Sequence, residues 1–297
     1  MNIAVFSDVH GRILLAFALC ARWERETGER IDLILQAGDL GVYPDDKRLD
    51  RATIKHAKAD AEELGFLAHF VERKAELAAI LDTTACPMIF VRGNHEDHAF
   101  LDGLEAEASE PIFPVDAYSR TFCLKTGVPY TFSAGAESVA LLGIGRVGQP
   151  LGAQAKPKYL QPDEQERLYR LGATPCDLLL THDVPQDAPG SRGMEEIRLV
   201  LDAYMPRYFF YGHTEEPYQQ RLDRNGVTTS IRMADLNWER GARRGLLPCG
   251  VMGMLRWRSR EDHCFEVVDA TWLEEYSAWS WRTIAKQIPA SRTRPAE

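Results

Sequence analysis

Short apolar runs of strand length recur along this chain, and most of them end in polar residues able to bind a metal ion. The runs occupy positions 3–6, 33–35, 88–91, 139–144, 178–180 and 208–211. Several are apolar on both faces, as expected for strands that are covered on both sides. Segments with helical periodicity lie at 13–25, 52–81, 163–171 and 194–204. This alternation predicts an α/β fold, in which helices cover the faces of a sheet.

After position 213 the pattern changes to successive strands separated by polar turns. These strands are expected at 218–222, 227–233, 251–257 and 264–267. The Asn225-Gly226 pair lies between the first two and favours antiparallel hairpins. A last helix is predicted at 272–288, followed by a disordered tail at 289–297.

The order of these elements predicts two packed sheets flanked by helices in a single domain of residues 1–288. A helical insertion is expected at about 45–84, because that segment alternates apolar positions with a strongly charged face. It could serve as a solvated cover over the sheet, as a lid or as a dimer surface, and the sequence leaves these alternatives open.

Charge and cysteine usage limit the classes of function. The net charge of −9 argues against broad nucleic-acid binding through a basic surface, although bound metals can still attract a phosphate group. The six cysteines are scattered and form no C-x-x-C pair, which is typical of reduced thiols in a cytoplasmic protein. No signal peptide and no apolar run of membrane-spanning length is evident, so we expect no membrane partner.

Five short polar motifs follow or end the apolar runs. They are Asp8-Val9-His10, Gly38-Asp39, Gly93-Asn94-His95-Glu96, Thr181-His182-Asp183 and Gly212-His213-Thr214-Glu215. Carboxylates, imidazoles and amide oxygens are ligands for divalent metals. Since ligands at the ends of several strands meet at one edge of a sheet, we expect these side chains to form one site.

The order of these motifs resembles that of the calcineurin-like metallophosphoesterases, and the similarity spans residues 3 to about 215. The resemblance implies a four-layer α/β/β/α sandwich of two mixed sheets flanked by helices, with two metal ions at the loop end of the sheets. The implied ligands are Asp8 and His10 for the first metal, Asp39 for both metals, and Asn94, His182 and His213 for the second.

The same resemblance implies a reaction in which a metal-bridging hydroxide attacks phosphorus. His95 matches the family's non-ligand histidine, which can protonate the leaving oxygen. Its other ring nitrogen could be held by Glu96 or by Asp39, and we favour Glu96 because it matches the family position.

Glu215 departs from the family pattern, which usually ends in Gly-His-x-His. It could ligate the first metal, contact that metal through water, or point away and leave a weak first site. If Glu215 binds directly, the first site has three carboxylates and one imidazole, which favours Mn²⁺ or Fe²⁺, while Zn²⁺ remains possible at the second site.

Three arginines near the motifs are candidates for binding the substrate phosphate, because a planar guanidinium suits a pair of phosphate oxygens. Arg92 precedes Gly93, Arg12 lies in the first loop, and Arg146 ends an apolar run. The alternative for Arg92 is a strand-end arginine paired to a surface carboxylate.

The sequence therefore predicts a binuclear metal-dependent phosphoesterase that hydrolyses a phosphodiester in a nucleotide or nucleic acid. The insert after Asp39 and the stretch from Thr181 to Pro185 are loosely similar to RNA lariat debranching enzymes. A phosphomonoesterase acting on a small molecule or phosphoprotein is the first alternative. A non-catalytic metal-binding scaffold is the second, and the oligomeric state is left open.

Overall fold

The computed structural model describes residues 1–188, 190–237 and 246–276, which form two β-sheets with helices on their outer faces. The first sheet has the spatial order β13 (His263–Val267), β12 (Gly253–Trp257), β1 (Asn2–Phe6), β2 (Leu33–Gln36), β3 (Met88–Phe90), β5 (Thr121–Leu124) and β4 (Ile112–Pro114). The second has the order β10 (Gln219–Leu222), β11 (Thr229–Arg232), β9 (Tyr208–Tyr211), β8 (Leu178–Thr181), β7 (Glu137–Ile144) and β6 (Tyr130–Ala134).

The helices form the two outer layers. They are α1 (Ile13–Thr27), α2 (Arg51–Ala57), α3 (Gly65–His69), α4 (Ala75–Leu81), α5 (His98–Glu107), α6 (Pro162–Tyr169) and α7 (Glu195–Tyr204). Three apolar cores separate the layers: α1 packs on the first sheet, the sheets pack on each other, and α7 packs on the second sheet. The predicted four-layer α/β/β/α sandwich is thus confirmed.

Both sheets are mixed, with parallel strands at the centre. β1, β2, β3 and β5 run parallel in the first sheet, and β7, β8, β9 and β11 run parallel in the second. Antiparallel strands lie outside them, including β12 beside β1 and β10 beside β11. The carboxyl ends of the central strands therefore open into the loops that carry the polar motifs.

The prediction of one continuous helix at 52–81 is wrong. The segment folds as three short helices, α2, α3 and α4, with a 3₁₀ turn at Ala61–Leu64 between α2 and α3. Asp60 has an extended backbone, and its carboxylate accepts a hydrogen bond from the Glu62 amide, which ends one helical segment and starts the next. The predicted apolar face is wrong as well, because Val71 and Ala75 are exposed, whereas Phe66, Phe70 and Leu77 enter the core.

The strands predicted before position 213 are present, whereas β4, β5 and β6 were not predicted. The hairpin at Asn225-Gly226 joins β10 to β11 as expected, but β11 also pairs in parallel with β9. Of the helix predicted at 272–288, the structure describes only a 3₁₀ turn at Thr271–Glu275; the rest and the tail at 289–297 lie outside the described residues.

The single domain of residues 1–288 stays a prediction. Within the described ranges, no helix combines the length and the apolar character needed to cross a bilayer.

Candidate metal centre

The predicted metal ligands lie in the loops that follow the central strands of both sheets. In the first sheet, Asp8 follows β1, Asp39 follows β2 and Asn94 follows β3. In the second sheet, His182 follows β8 and His213 follows β9. Since these strands are parallel within each sheet, side chains separated by some two hundred positions along the chain come together.

The backbone at these loops adopts left-handed conformations that are uncommon for residues with side chains. Asp8, His10, Asp39, His213 and Glu215 have φ values of 46°, 44°, 55°, 69° and 50°. Such conformations cost roughly 1–3 kcal/mol each and cluster at sites where geometry matters for function. The loops are therefore shaped for the placement of these side chains at some cost in stability.

Two glycines allow the loops to approach the carboxylates closely. A Cβ atom on Gly93 would lie 1.9 Å from Asp39 Oδ1, and one on Gly212 would lie 2.0 Å from Asp8 Oδ2. Any larger residue would displace a candidate ligand, so the glycines of these motifs serve the site directly.

Two groups of candidate ligand atoms share Asp39. One group contains Asp8, His10 and Asp39, the other contains Asp39, His182 and His213, and the ligand atoms within each group lie within 4.8 Å of one another. His10 Nε2 is 3.9 Å from Asp8 Oδ1 and also 3.9 Å from Asp39 Oδ2. His182 Nε2 is 3.2 Å from Asp39 Oδ2.

Two buried polar atoms at this centre have no hydrogen-bond partner within the part of the chain that the structure describes. They are His182 Nε2 and Asn94 Oδ1. The opposite ring nitrogen, His182 Nδ1, lies 3.0 Å from the Ala37 carbonyl oxygen, which orients the imidazole. An unpartnered buried donor or acceptor is costly, and a cation at the centre would satisfy both atoms. The donor set of carboxylates, imidazoles and one amide thus fits a pair of divalent metals.

Burial and mutual charge displace the pKa values of these groups. Burial raises the pKa of Asp39, but His182, His95 and His10 outweigh it and hold that pKa well below its usual range. Burial lowers the pKa of His182, yet Asp39 and Asp8 raise it to about 10. The centre therefore concentrates negative charge around Asp39, and a bound cation would take the place of the protons on the imidazoles.

His95 lies in the same cleft and is held by Asp50, not by Glu96. His95 Nδ1 is 2.5 Å from Asp50 Oδ2, and the His95 amide donates to Asp39 Oδ1 at 2.7 Å. Burial lowers the pKa of His95, but the hydrogen bond to Asp50 and the charge of Asp39 raise it to about 9. The contact with Asp50 thus favours the cationic form of His95, which is the form that a proton donor requires.

The assignment of Glu96 to His95 is wrong, because the Glu96 carboxylate is already engaged. Its oxygens accept the backbone amides of Leu40 and Val42 at 2.8 and 2.6 Å. Glu96 thus ties the loop that carries Asp39 to the loop that carries Asn94, a structural task that leaves the imidazole to Asp50. Asp50 belongs to the insertion, and no spacing in the sequence pointed to it.

Comparison with known proteins shows which family has this arrangement of motifs. The sequence model of the calcineurin-like phosphoesterases matches residues 1–217. The chain belongs to this family. The match contains all seven predicted metal ligands and His95, and the resemblance inferred from the motif order is confirmed. Among curated proteins, a search found no significant match.

Several solved structures are similar to this chain at low sequence identity. TT1561 of Thermus thermophilus is 14% identical, with a TM-score of 0.48 over 90% of this chain and 99% of that one. GAP50 of Plasmodium is 11% identical, with a TM-score of 0.50 over 91% and 85%. A putative 5′-nucleotidase from Staphylococcus aureus is 17% identical, with a TM-score of 0.44 over 97% of this chain and 58% of that one.

The three arginines predicted to bind phosphate need correction in this phosphoesterase, because each guanidinium is buried against carboxylates. Arg12 contacts Asp60 at 2.5 Å and Glu63 at 3.1 Å. Arg92 pairs with Asp102 and, at 2.5 Å, with Glu105.

Arg146 is held in the same way, by Glu164 at 3.0 Å and by Asp102 at 2.6 Å. None of the three arginines is among the described residues that line the cleft at the metal ligands. Their charges are neutralised within the fold, so the structure does not support a role in phosphate binding.

Glu215 is exposed and lines the cleft beside Asp8 and His10, but it falls in neither of the ligand groups found among the described residues. Its coordination of the first metal stays a prediction. Asp235, which no motif indicated, lines the same cleft. Burial and the nearby carboxylates of Asp8 and Glu215 raise the pKa of Asp235 to about 7.

Two adjoining cavities meet at the metal centre. The cleft lined by Asp8, His10 and His95 has a volume of about 110 Å³. A groove of about 680 Å³ lies next to it and is lined by Asn94, His213 and the loops that carry Tyr159 and Arg192. His213 lines both spaces, so the metal centre opens towards two sides.

Replacing Asp50 by asparagine is expected to lower kcat by about 10- to 100-fold, because the partner of a functional histidine sets its orientation and basicity. Loss of the carboxylate also removes a force that raises the pKa of His95 to about 9. The proton is then lost at lower pH, so the alkaline fall in kcat should move to lower pH. A kcat–pH profile measures both effects.

Asparagine preserves the cap of α2, since Asp50 Oδ1 accepts the Thr53 amide at 2.8 Å and an amide oxygen can do the same. Asp45→Asn is the matched control, because Asp45 caps a 3₁₀ turn at Asp46–Arg48 in the same insertion. A normal pH profile in the Asp50 variant would show that the carboxylate has no influence on His95.

Proposed function

We propose that this chain is a binuclear metal-dependent phosphodiesterase that acts on a nucleotide or a nucleic acid. The observation that carries the proposal is the sharing of Asp39 between two ligand groups, each within 4.8 Å. A carboxylate between two cations offsets part of their mutual repulsion. Two divalent ions in such an arrangement supply Lewis acidity and lower the pKa of a bound water.

The remaining roles fall to side chains of the same cleft. His95 donates a proton to the leaving oxygen, and Asp50 fixes its orientation through Nδ1, so that Nε2 is the donor atom. The His95 amide binds Asp39, which ties the position of the acid to that of the bridging carboxylate. This coupling supports catalysis over a scaffold role, since a purely structural metal site has no use for a positioned acid.

The two-sided opening of the centre supports a diester over a monoester. A diester has an alcohol group on each side of phosphorus, and the groove beyond Asn94 and His213 has room for the larger one. Lys158 and Arg192 line this groove and supply positive charge, while Tyr159 and Leu151 supply apolar surface. Such a surface suits a nucleotide, which combines anionic phosphate with a flat base.

The test is hydrolysis of bis-p-nitrophenyl phosphate and of p-nitrophenyl phosphate by the full chain with Mn²⁺ added. We expect turnover of both and a larger kcat/KM for the diester. A larger kcat/KM for the monoester would favour the phosphomonoesterase, the first alternative. Bound metal without turnover of either substrate would favour the non-catalytic scaffold.

Metal identity follows from the donor set under the same proposal. The carboxylates at Asp8 and Asp39 make the first site hard, which favours Mn²⁺ or Fe²⁺, and the two imidazoles at His182 and His213 leave Zn²⁺ possible at the second. A cytoplasmic location and the absence of a membrane partner stay predictions.

A further inference from the structure

Asp235 reaches the metal centre because β11 lies parallel to β9. Arg232, the last residue of β11, pairs with Tyr211, the last residue of β9, so both strands end at the same edge of the sheet. The loop after β9 carries His213 and Glu215, and the loop after β11 carries Asp235. Two loops from adjacent parallel strands therefore deliver carboxylates to one place.

The backbone around Asp235 is fixed against the loop that carries Asp8. Asp235 forms a parallel β-bridge with Ser7, and the Leu236 amide donates to the Asp8 carbonyl oxygen at 3.2 Å. Asp235 thus lies in register beside the first motif, in a position set by backbone hydrogen bonds.

The side chain of Asp235 faces a cleft that already contains the candidate ligands of the first metal. It lines this cleft with Asp8, His10, Asp39 and Glu215, and its carboxylate is repelled by the three other carboxylates. No hydrogen bond or ion pair of the Asp235 side chain is found within residues 1–188, 190–237 and 246–276.

An independent sign of a cation at this centre is the fully buried imidazole of His182. Its Nε2 makes no well-aligned hydrogen bond among the described residues, and its contact there is an ion pair of 3.2 Å with Asp39 Oδ2, the carboxylate that both ligand groups share. Convergent carboxylates beside such an atom are stable together when a cation offsets their repulsion.

We propose that Asp235 supplies a carboxylate ligand to the first metal ion and compensates for the histidine missing at position 215. The inference rests on the binuclear centre of the proposed function. It places a ligand beyond the family match, which ends at residue 217. Neither Asp235 nor Glu215 belongs to the two ligand groups found among the described residues, but Asp235 is half-buried and held by the backbone of the Asp8 loop, whereas Glu215 is exposed.

The experiment is calorimetric titration of the metal-stripped full chain with MnCl₂, together with metal analysis after gel filtration. Wild type is expected to bind two ions. Asp235→Asn should raise the Kd of one ion by 10- to 100-fold or more, because loss of an outer partner of a ligand already costs about that much. The Kd of the other ion should stay within about twofold.

Glu216→Gln is the matched control, because Glu216 directly follows Glu215 in the same loop but pairs with Arg232. It should leave both Kd values unchanged. Two Mn²⁺ sites of unchanged affinity in Asp235→Asn would overturn the inference and leave the proposed function standing. Fewer than two sites in wild type would overturn both.

Asp235→His keeps the inference testable if the asparagine variant does not fold. An imidazole at a ligand position should retain two sites and shift the preference of one of them from Mn²⁺ towards Zn²⁺. A ratio of Mn²⁺ to Zn²⁺ affinity equal to that of wild type would show that residue 235 does not touch the metal.

Discussion

Replacing Asp39 by asparagine is expected to remove at least one metal ion and to lower turnover of bis-p-nitrophenyl phosphate by about 10³-fold. Asp39 is the carboxylate common to both ligand groups, and its Oδ1 also accepts the His95 amide at 2.7 Å. An amide carries no negative charge, so it cannot offset the repulsion between two cations. The loss therefore affects both metal sites and the position of the proton donor.

Asparagine is the replacement that disturbs the fold least. Asp39 has a φ of 55°, and asparagine tolerates this left-handed conformation better than other residues with a side chain. Metal content by mass spectrometry and kcat with Mn²⁺ are the two measurements. Asp163→Asn is the control, because it also replaces an aspartate by asparagine and the Asp163 side chain is exposed. If the Asp39 variant bound two ions and had wild-type turnover, the assignment of Asp39 as the carboxylate between the two metals would be wrong.

The central strands and the ligand loops were predictable because both depend on local sequence. An apolar run followed by a glycine and a metal-binding residue indicates a buried strand and a tight turn wherever it occurs. Gly93 and Gly212 show why the glycines belong to the pattern, since a Cβ on either would collide with a candidate ligand. The order of such motifs then limited the fold to one family.

The residues that form hydrogen bonds with the motif side chains were not predictable, because these bonds join elements that are distant in the sequence. In the sequence Asp50 has the features of an ordinary helix cap, and one of its carboxylate oxygens does cap α2. The other oxygen contacts His95, which lies 45 residues further along the chain. Glu96 lies beside His95 in sequence, yet its carboxylate turns to the amides of Leu40 and Val42. Adjacency along the chain was a poor guide to which carboxylate meets the imidazole.

The sequence also did not show which strand pairs with the far side of β11 or which carboxylates pair with Arg92. The hairpin signal at Asn225-Gly226 correctly joined β10 to β11, but it carries no information about the neighbour on the other side of β11. That neighbour, β9, is what brings Asp235 to the metal centre. For Arg92 the sequence left open whether the guanidinium binds phosphate or pairs with a carboxylate, and α5 decides for the second by supplying Asp102 and Glu105.

Replacing His95 by asparagine is expected to leave metal binding intact and to lower kcat most for esters with poor leaving groups. A well-placed general acid contributes about 10²- to 10⁴-fold, and the contribution grows with the basicity of the leaving oxygen. Diphenyl phosphate should therefore lose far more rate than bis-p-nitrophenyl phosphate, whose leaving group departs without a proton. The measurement is kcat for a series of aryl diesters plotted against leaving-group pKa, which should steepen in the variant.

His263→Asn is the matched control, because His263 lies on β13 at the outer edge of the first sheet and is not among the described residues that line either cavity at the metal centre. It should leave both the rates and the slope of the plot unchanged. Equal losses for good and poor leaving groups in His95→Asn would mean that the imidazole stabilises charge or binds substrate and does not transfer a proton. The distinction matters because proton donation needs the cationic form that Asp50 and Asp39 favour, and it explains why a carboxylate from the insertion should be held beside His95.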